Sequence, residues 1–181
     1  MTGMTDFRPV LDWALDNPEL SLLAVAAVFA FLTLALMSKP HSGRRIVEVL
    51  FRAYLLFVVA LLFLDKAAGA GLFGPDAAAA VHGAGPASLP AGWAYLAFAI
   101  LGLLALSRSI GLRAAAVAGP SVYLLGPLVA SVPANAQAQA SAPEVAVVLA
   151  GAFLLLLQVN VDRPAPPLPR GLGRAVAGAI G

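Results

Sequence analysis

"RRIVEVLFRAYLLFVVALLFLDK", residues 44–66, is the stretch that decides the fold. Between positions 46 and 64 the only charges are Glu48 and Arg52, four residues apart, and Asp65 and Lys66 close the run. An apolar run needs ~17–25 residues to cross ~30 Å of hydrocarbon as a helix, so this one is long enough to span a bilayer. The order of the pair, Glu before Arg at i and i+4, is the favourable one on a helix. With a helix start near position 46, Arg52 lies about 9 Å in and Glu48 about 3 Å in at ~1.5 Å per residue. A long arginine stem can snorkel most of that distance to the headgroups. Snorkelling accounts for Arg52 but leaves Glu48 without a reason. Two readings stay open: an interfacial ion pair, or an inward-facing site for an anionic or quinone-type headgroup.

The rest of the 181-residue chain is of the same kind. Hydrophobic residues make up 61% and charged residues 11%, with a mean hydropathy of +0.91. Soluble domains carry about 25% charge. Too little polar material remains to cover a water-facing surface, so the solvent is a bilayer and there is no room for a separate soluble domain. Five segments are predicted to span: 20–38, 46–64, 91–107, 114–131 and 145–159. Helix is required of them, because lipid offers no partner to a bare amide. The fold class expected is an all-α integral membrane protein of five transmembrane helices. Its domains are an outer-surface segment 1–19, a single bundle 20–161 and a Pro-rich cytoplasmic tail 162–181.

Charge asymmetry gives the orientation. Lys39, Arg44, Arg45, Arg52, Arg108, Arg113, Arg163, Arg170 and Arg174 fall on one side of these segments, and only Arg8 and Lys66 on the other. The positive-inside rule puts the first group in the cytoplasm, with the N-terminus outside and the C-terminus inside. Trp13 and Trp93 then fall at the outer interface, where indole rings anchor a chain. The Ala- and Gly-rich composition suits a bacterial, GC-rich source, hence a multi-pass protein of the bacterial inner membrane. The formal charge of +2 and the lack of a basic stripe give no reason to expect nucleic acid as a partner.

Before the first span, "TDFRPVLDWALDNPE" (5–19) reads as a short amphipathic helix with Phe7, Val10, Trp13 and Ala14 on one face. It is either an anchor or a docking surface. In the outer loop, Asp76 is placed to cap a short helix ending at Gly83, with His82 as a solvated loop residue. A second outer loop, 133–143, is bland. The fourth span contains "AGPSVYLLGPLV" (118–129), where Pro120 and Pro127 fall on nearly one face as predicted helix breaks, with Ser121 and Tyr123 at hand for freed carbonyls. Such a helix either kinks for packing or breaks around a binding site. Small-residue pairs such as Ala26/Ala30, Ala115/Gly119 and Ala146/Ala150 would allow close helix approach.

Absences narrow the function. The chain has no cysteine and two histidines, neither within a span, which leaves no thiolate metal site, no disulfide and no bis-His haem. No carboxylate lies near a span centre and no Ser/His/Asp set is placed to act together. No catalytic or metal-binding residue is therefore predicted.

Residues 44–163 resemble the DoxX-type family of small four-helix membrane proteins. The likeness rests on Arg52, on "LLFLDK" ending at Lys66, on "PDAAAAVHGAGPASLP" (75–90), and on "IGLRAAAV" (110–117) with Arg113. Phe63 stands where that family has a small Gly before the Lys, and the first span is an added helix. The resemblance implies a bundle linked to membrane redox proteins or quinone chemistry, with Glu48, Arg52, Lys66 and Arg113 as candidate headgroup contacts. No cofactor is predicted from the residues themselves; a quinone or a lipid is the alternative occupant.

Three functions are carried forward. The first is a non-catalytic accessory subunit packed among other subunits of a larger membrane complex, such as an energy-converting one. The second is a DoxX-like quinone-linked redox component, and the third a small solute transporter moving on the Pro120/Pro127 helix.

Overall fold

The computed structural model describes residues 8–37, 42–74, 89–107, 109–131 and 142–162, with side chains to position 126 in the fourth stretch. Every regular element among them is helical. They are α1 (Arg8–Asp16), α2 (Pro18–Leu36), α3 (Gly43–Ala53), a π-helical segment (Tyr54–Leu61), α4 (Leu62–Gly69), α5 (Leu89–Leu104), α6 (Ile110–Ser131) and α7 (Ala142–Val161). Phe7, Asp76, His82, Arg108, most of the second outer loop and the tail from 163 onward lie outside the described residues.

Each of the five predicted segments coincides with a helix. Three of these helices are long and apolar enough to cross a membrane: Pro18–Leu36, Gly43–Gly69 and Ala142–Val161. The helices corresponding to the third and fourth segments are shorter apolar pieces, Leu89–Leu104 and Ile110–Gly126. Several boundaries move. The second helix starts at Gly43, where Ser42 caps it by accepting from the Arg45 amide, so Arg44 and Arg45 are helical. The fourth starts at Ile110, which places Arg113 inside a helix and not in the turn before it. The fifth reaches past both expected ends.

Gly43–Gly69 is a continuous 27-residue rod and the centre of the molecule. Of its apolar window 56% is buried, against 17% for each of the other two long helices. Phe51, Tyr54, Leu55, Val58, Val59, Leu62 and Phe63 are all buried along it. Their three- and four-residue spacing is that of one helical face. The middle of the rod is wound as a π-helix, with the Leu62 amide bonding to the Phe57 carbonyl. π segments are rare in helices and occur mostly as single turns, so eight residues of one is a departure that the apolar pattern did not signal.

Around the rod, α2, α7, α6 and α5 follow one another. α2 lies along α3 and the π segment, and α5 along the π segment and α4; between α2 and α5 the rod is left partly uncovered at Phe57, Leu61 and Leu64. Small residues set the contacts. On α2 only Ala26 and Ala30 are buried, one turn apart, so one of the small-residue pairs is an interface. On α7 the Tyr54 hydroxyl donates to the Val147 carbonyl at 3.0 Å and its ring lies over Gly151, where a Cβ would collide with it. On α5, Gly102 faces the rod, and a Cβ there would lie 2.9 Å from Val59 Cγ1. At the α4 end, Phe63, Tyr95, Phe98 and Tyr123 make tilted and edge-on ring contacts with centroids 5.3–6.0 Å apart.

Outward faces carry large apolar side chains, including Phe29, Phe31 and Leu36 on α2 and Phe153 and Leu156 on α7. Water-soluble monomers rarely show apolar patches of this extent. α1 forms as expected, with Val10 and Trp13 exposed and Ala14 partly buried. It is joined to α2 through Asn17, whose amide side chain donates to the Trp13 carbonyl, and through Ser21, whose hydroxyl donates to the Ala14 carbonyl. α6 runs on through Pro120 and Pro127, so neither proline ends it. Ser121 donates to the Val117 carbonyl at 2.6 Å, one residue beyond the carbonyl that Pro120 frees.

The glycine contacts are testable. Gly102→Ala is expected to destabilise the bundle by about 1–3 kcal/mol through overpacking against Val59. Gly126→Ala, with nothing among the described residues within 4 Å of its Cβ position, should leave the unfolding midpoint in detergent unchanged or slightly raised, since Ala favours the helix more than Gly does.

Candidate functional site

Arg113 is fully buried and Glu48 is its counter-charge. A guanidinium in a low-dielectric interior is costly unless a carboxylate faces it and its donors are used. Both conditions hold. Arg113 Nη1 donates to Glu48 Oε2 at 2.8 Å and Nη2 to Oε1 at 2.8 Å, a two-pronged fork. The third nitrogen, Nε, points to the carbonyls of Ala105 and Ser107 at 3.3 and 3.2 Å. These carbonyls lie at and just past the end of α5, where the helix leaves acceptors without intrahelical partners and where a positive charge is favoured. The guanidinium also stands 5.4 Å from the centre of the Phe51 ring. One side chain thus fastens the α5–α6 turn to the start of the central rod.

Arg52 completes the group. Its Nε donates to Glu48 Oε1 at 2.8 Å, the i,i+4 contact expected from the sequence. The reason for Glu48 lies elsewhere, in an arginine 65 residues away that the spacing within span two could not show.

A second cluster sits at the other end of the rod. Lys66 Nζ lies 2.8 Å from Glu19 Oε1 and 3.9 Å from Glu144 Oε1. Glu19 is in the first turn of α2 and Glu144 in the first turn of α7, where the helix dipole favours an anion. Eighteen residues separate Glu48 from Lys66 along the rod, roughly 27 Å at the α-helical rise. The four candidate headgroup contacts therefore do not converge. Glu48, Arg52 and Arg113 meet, while Lys66 ties together helix starts at the far end. Trp13 and Trp93 are 53% and 62% exposed, on α1 and near the start of α5, as membrane-facing anchors would be.

Beside Arg52 the ends of α2, α3 and α7 enclose a cleft of about 560 Å³ whose lining includes Arg44, Arg45, Arg52 and Gln158. Gln158 was not singled out from the sequence. Its signal is an amide set directly after the apolar run "AFLLLL" (152–157), and it is 6% exposed. Among the described residues there is no group of three or more His, Cys, Asp or Glu that could hold a metal ion.

A family model described as a family of unknown function, DUF6790, matches residues 16–160, and the chain belongs to that family. No curated protein and no solved structure gives a match.

Removing one partner of the buried pair strands the other. Glu48→Ala and Arg113→Ala are each expected to cost about 3–5 kcal/mol of stability. Arg52→Ala, which deletes a half-exposed contact, should cost less than about 1 kcal/mol. Unfolding midpoints in one detergent compare the three. If Glu48→Ala behaves like Arg52→Ala, the fork does not hold the bundle together.

Proposed function

We propose that this member of the DUF6790 family is a five-span bacterial inner-membrane protein acting as a non-catalytic subunit of a larger membrane assembly. The observation that carries the reading is how its intramembrane charges are used. Glu48, Arg52 and Arg113 pair with one another, and Lys66 pairs with Glu19 and Glu144, so these groups join helices and none is held apart for chemistry. The uncovered strip of the rod at Phe57, Leu61 and Leu64, between α2 and α5, is where a partner helix would pack.

The five-span reading adds Leu89–Leu104 and Ile110–Ser131 to the three long helices. Sixteen residues reach only about 24 Å, so α5 crosses with local thinning of the bilayer. Orientation follows from Arg44, Arg45, Arg52 and Arg113 at one end of the rod, which the positive-inside rule assigns to the cytoplasm. The chain has no cysteine, so single substitutions can test this in sealed vesicles. Ser109→Cys should react with an impermeant thiol reagent only from the cytoplasmic face, and Ala142→Cys only from the outer one.

Gentle detergent extraction followed by native mass measurement tests the subunit reading. A stoichiometric complex well above 18.4 kDa is the expected result. A chain that runs alone overturns it. The DoxX-like redox reading would then be selected by a quinone travelling with the chain, and the transporter reading by solute uptake in proteoliposomes that Pro127→Ala alters.

A further inference from the structure

The cleft beside Arg52 has the chemistry of a binding site that the ion-pair network does not use. Its volume, about 560 Å³, falls in the ~300–1,000 Å³ range of ligand pockets. Two of its arginines are engaged by one nitrogen each among the described residues. Arg44 Nε pairs with Asp162 at 3.1 Å and Arg52 Nε with Glu48 at 2.8 Å, leaving the terminal nitrogens of both. Arg45 lines the same cleft, is exposed, and has no ion-pair partner among the described residues. Guanidinium groups in this state are suited to phosphate, which accepts two parallel hydrogen bonds from each.

Gln158 supplies the second, independent observation. It is buried, it lines the cleft, and its Oε1 has no hydrogen-bond partner among the described residues. Its Nε2 faces Asp162 Oδ2 at 3.5 Å, an orientation that keeps the amide oxygen away from the carboxylate. A buried acceptor left without a donor costs about 1–3 kcal/mol, so this oxygen calls for a hydroxyl or N–H group. Glu48 and Asp162 line the cleft as well, each already paired with an arginine, so the groups left over in its lining are guanidinium donors.

We propose that the cleft formed by α2, α3 and α7 binds an anionic phosphate ester that also carries a hydrogen-bond donor, the phosphate held by Arg44, Arg45 and Arg52 and the donor by Gln158. A glycerophospholipid headgroup and a soluble glycerol phosphate share this chemistry. The cleft lies at the arginine-rich end of the bundle, at headgroup level, and basic pockets between spans on that side are where anionic lipid headgroups bind.

The test uses the full chain in neutral detergent, with phosphatidylglycerol, phosphatidylcholine and glycerol 3-phosphate as probes read by native mass spectrometry. Phosphatidylglycerol has both the net negative charge and the hydroxyl; phosphatidylcholine has neither. Phosphatidylglycerol is expected to bind about tenfold more tightly than phosphatidylcholine, a preference the size of one charge-assisted contact. Arg45→Gln, an exposed position whose side chain holds no helix, and Gln158→Leu should each remove most of that preference. Binding of glycerol 3-phosphate with the same dependence on both variants, and no lipid preference, would assign the site to a soluble ester. A preference that survives both variants, or no binding of either anionic probe above the phosphatidylcholine level, overturns the proposal. The readout is separate from complex size, so this site and the subunit reading stand or fall independently.

Discussion

A buried arginine has to be matched, and the matching of Arg113 organises this molecule. With its side chain out of contact with solvent, the guanidinium needs a carboxylate and acceptors for its remaining donors inside the bundle. Glu48 provides the first from the central rod, and the carbonyls past the end of α5 provide the second. These contacts fix three things together: the tight turn between α5 and α6, the depth of α6 relative to the rod, and the rotation of the rod that points Glu48 inward. Hydrophobic burial cannot set those relations alone, because lipid tails are as apolar as the helices. Directional, charge-assisted bonds supply what non-directional packing lacks.

Close packing does the rest. Ala26, Ala30, Gly102 and Gly151 let neighbouring helices approach the rod, and Tyr54 reaches across to the Val147 carbonyl. In a bilayer such contacts gain dispersion energy that longer side chains would prevent. The Lys66 cluster then closes the other end, where the starts of α2 and α7 bring Glu19 and Glu144 to one ammonium group. The rod is held by ions at both ends and by small residues in the middle.

This arrangement also separates two kinds of charge. At the Arg113 end, Arg113 is consumed in joining helices, while Arg44, Arg45 and Arg52 line the neighbouring cleft, with Glu48 shared between the two. Gln158, whose oxygen is buried and unpartnered among the described residues, stands in the lining of that cleft. DUF6790 as a family description assigns no activity, so local geometry is the only guide to what the cleft takes.

Composition and periodicity by themselves determined the helical class, the places of the five helices and the presence of helices long and apolar enough to cross a membrane, because apolar runs of this length have one stable backbone form in lipid. They also located Glu48 and Arg52 as a pair, while Arg113 came into view through the resemblance to the DoxX-type family. Boundaries moved where capping and buried charge decided them: Ser42 draws the rod back to Gly43, and Arg113 is drawn into α6. Only the tertiary structure decided who pairs with whom. Glu48 and Arg113 are 65 positions apart and Lys66 and Glu19 are 47, and no local pattern encodes such distances. The π-wound middle of the rod and the cleft at Gln158 were likewise invisible, since the apolar pattern carries no signal for the first and the second arises where the ends of separate helices meet.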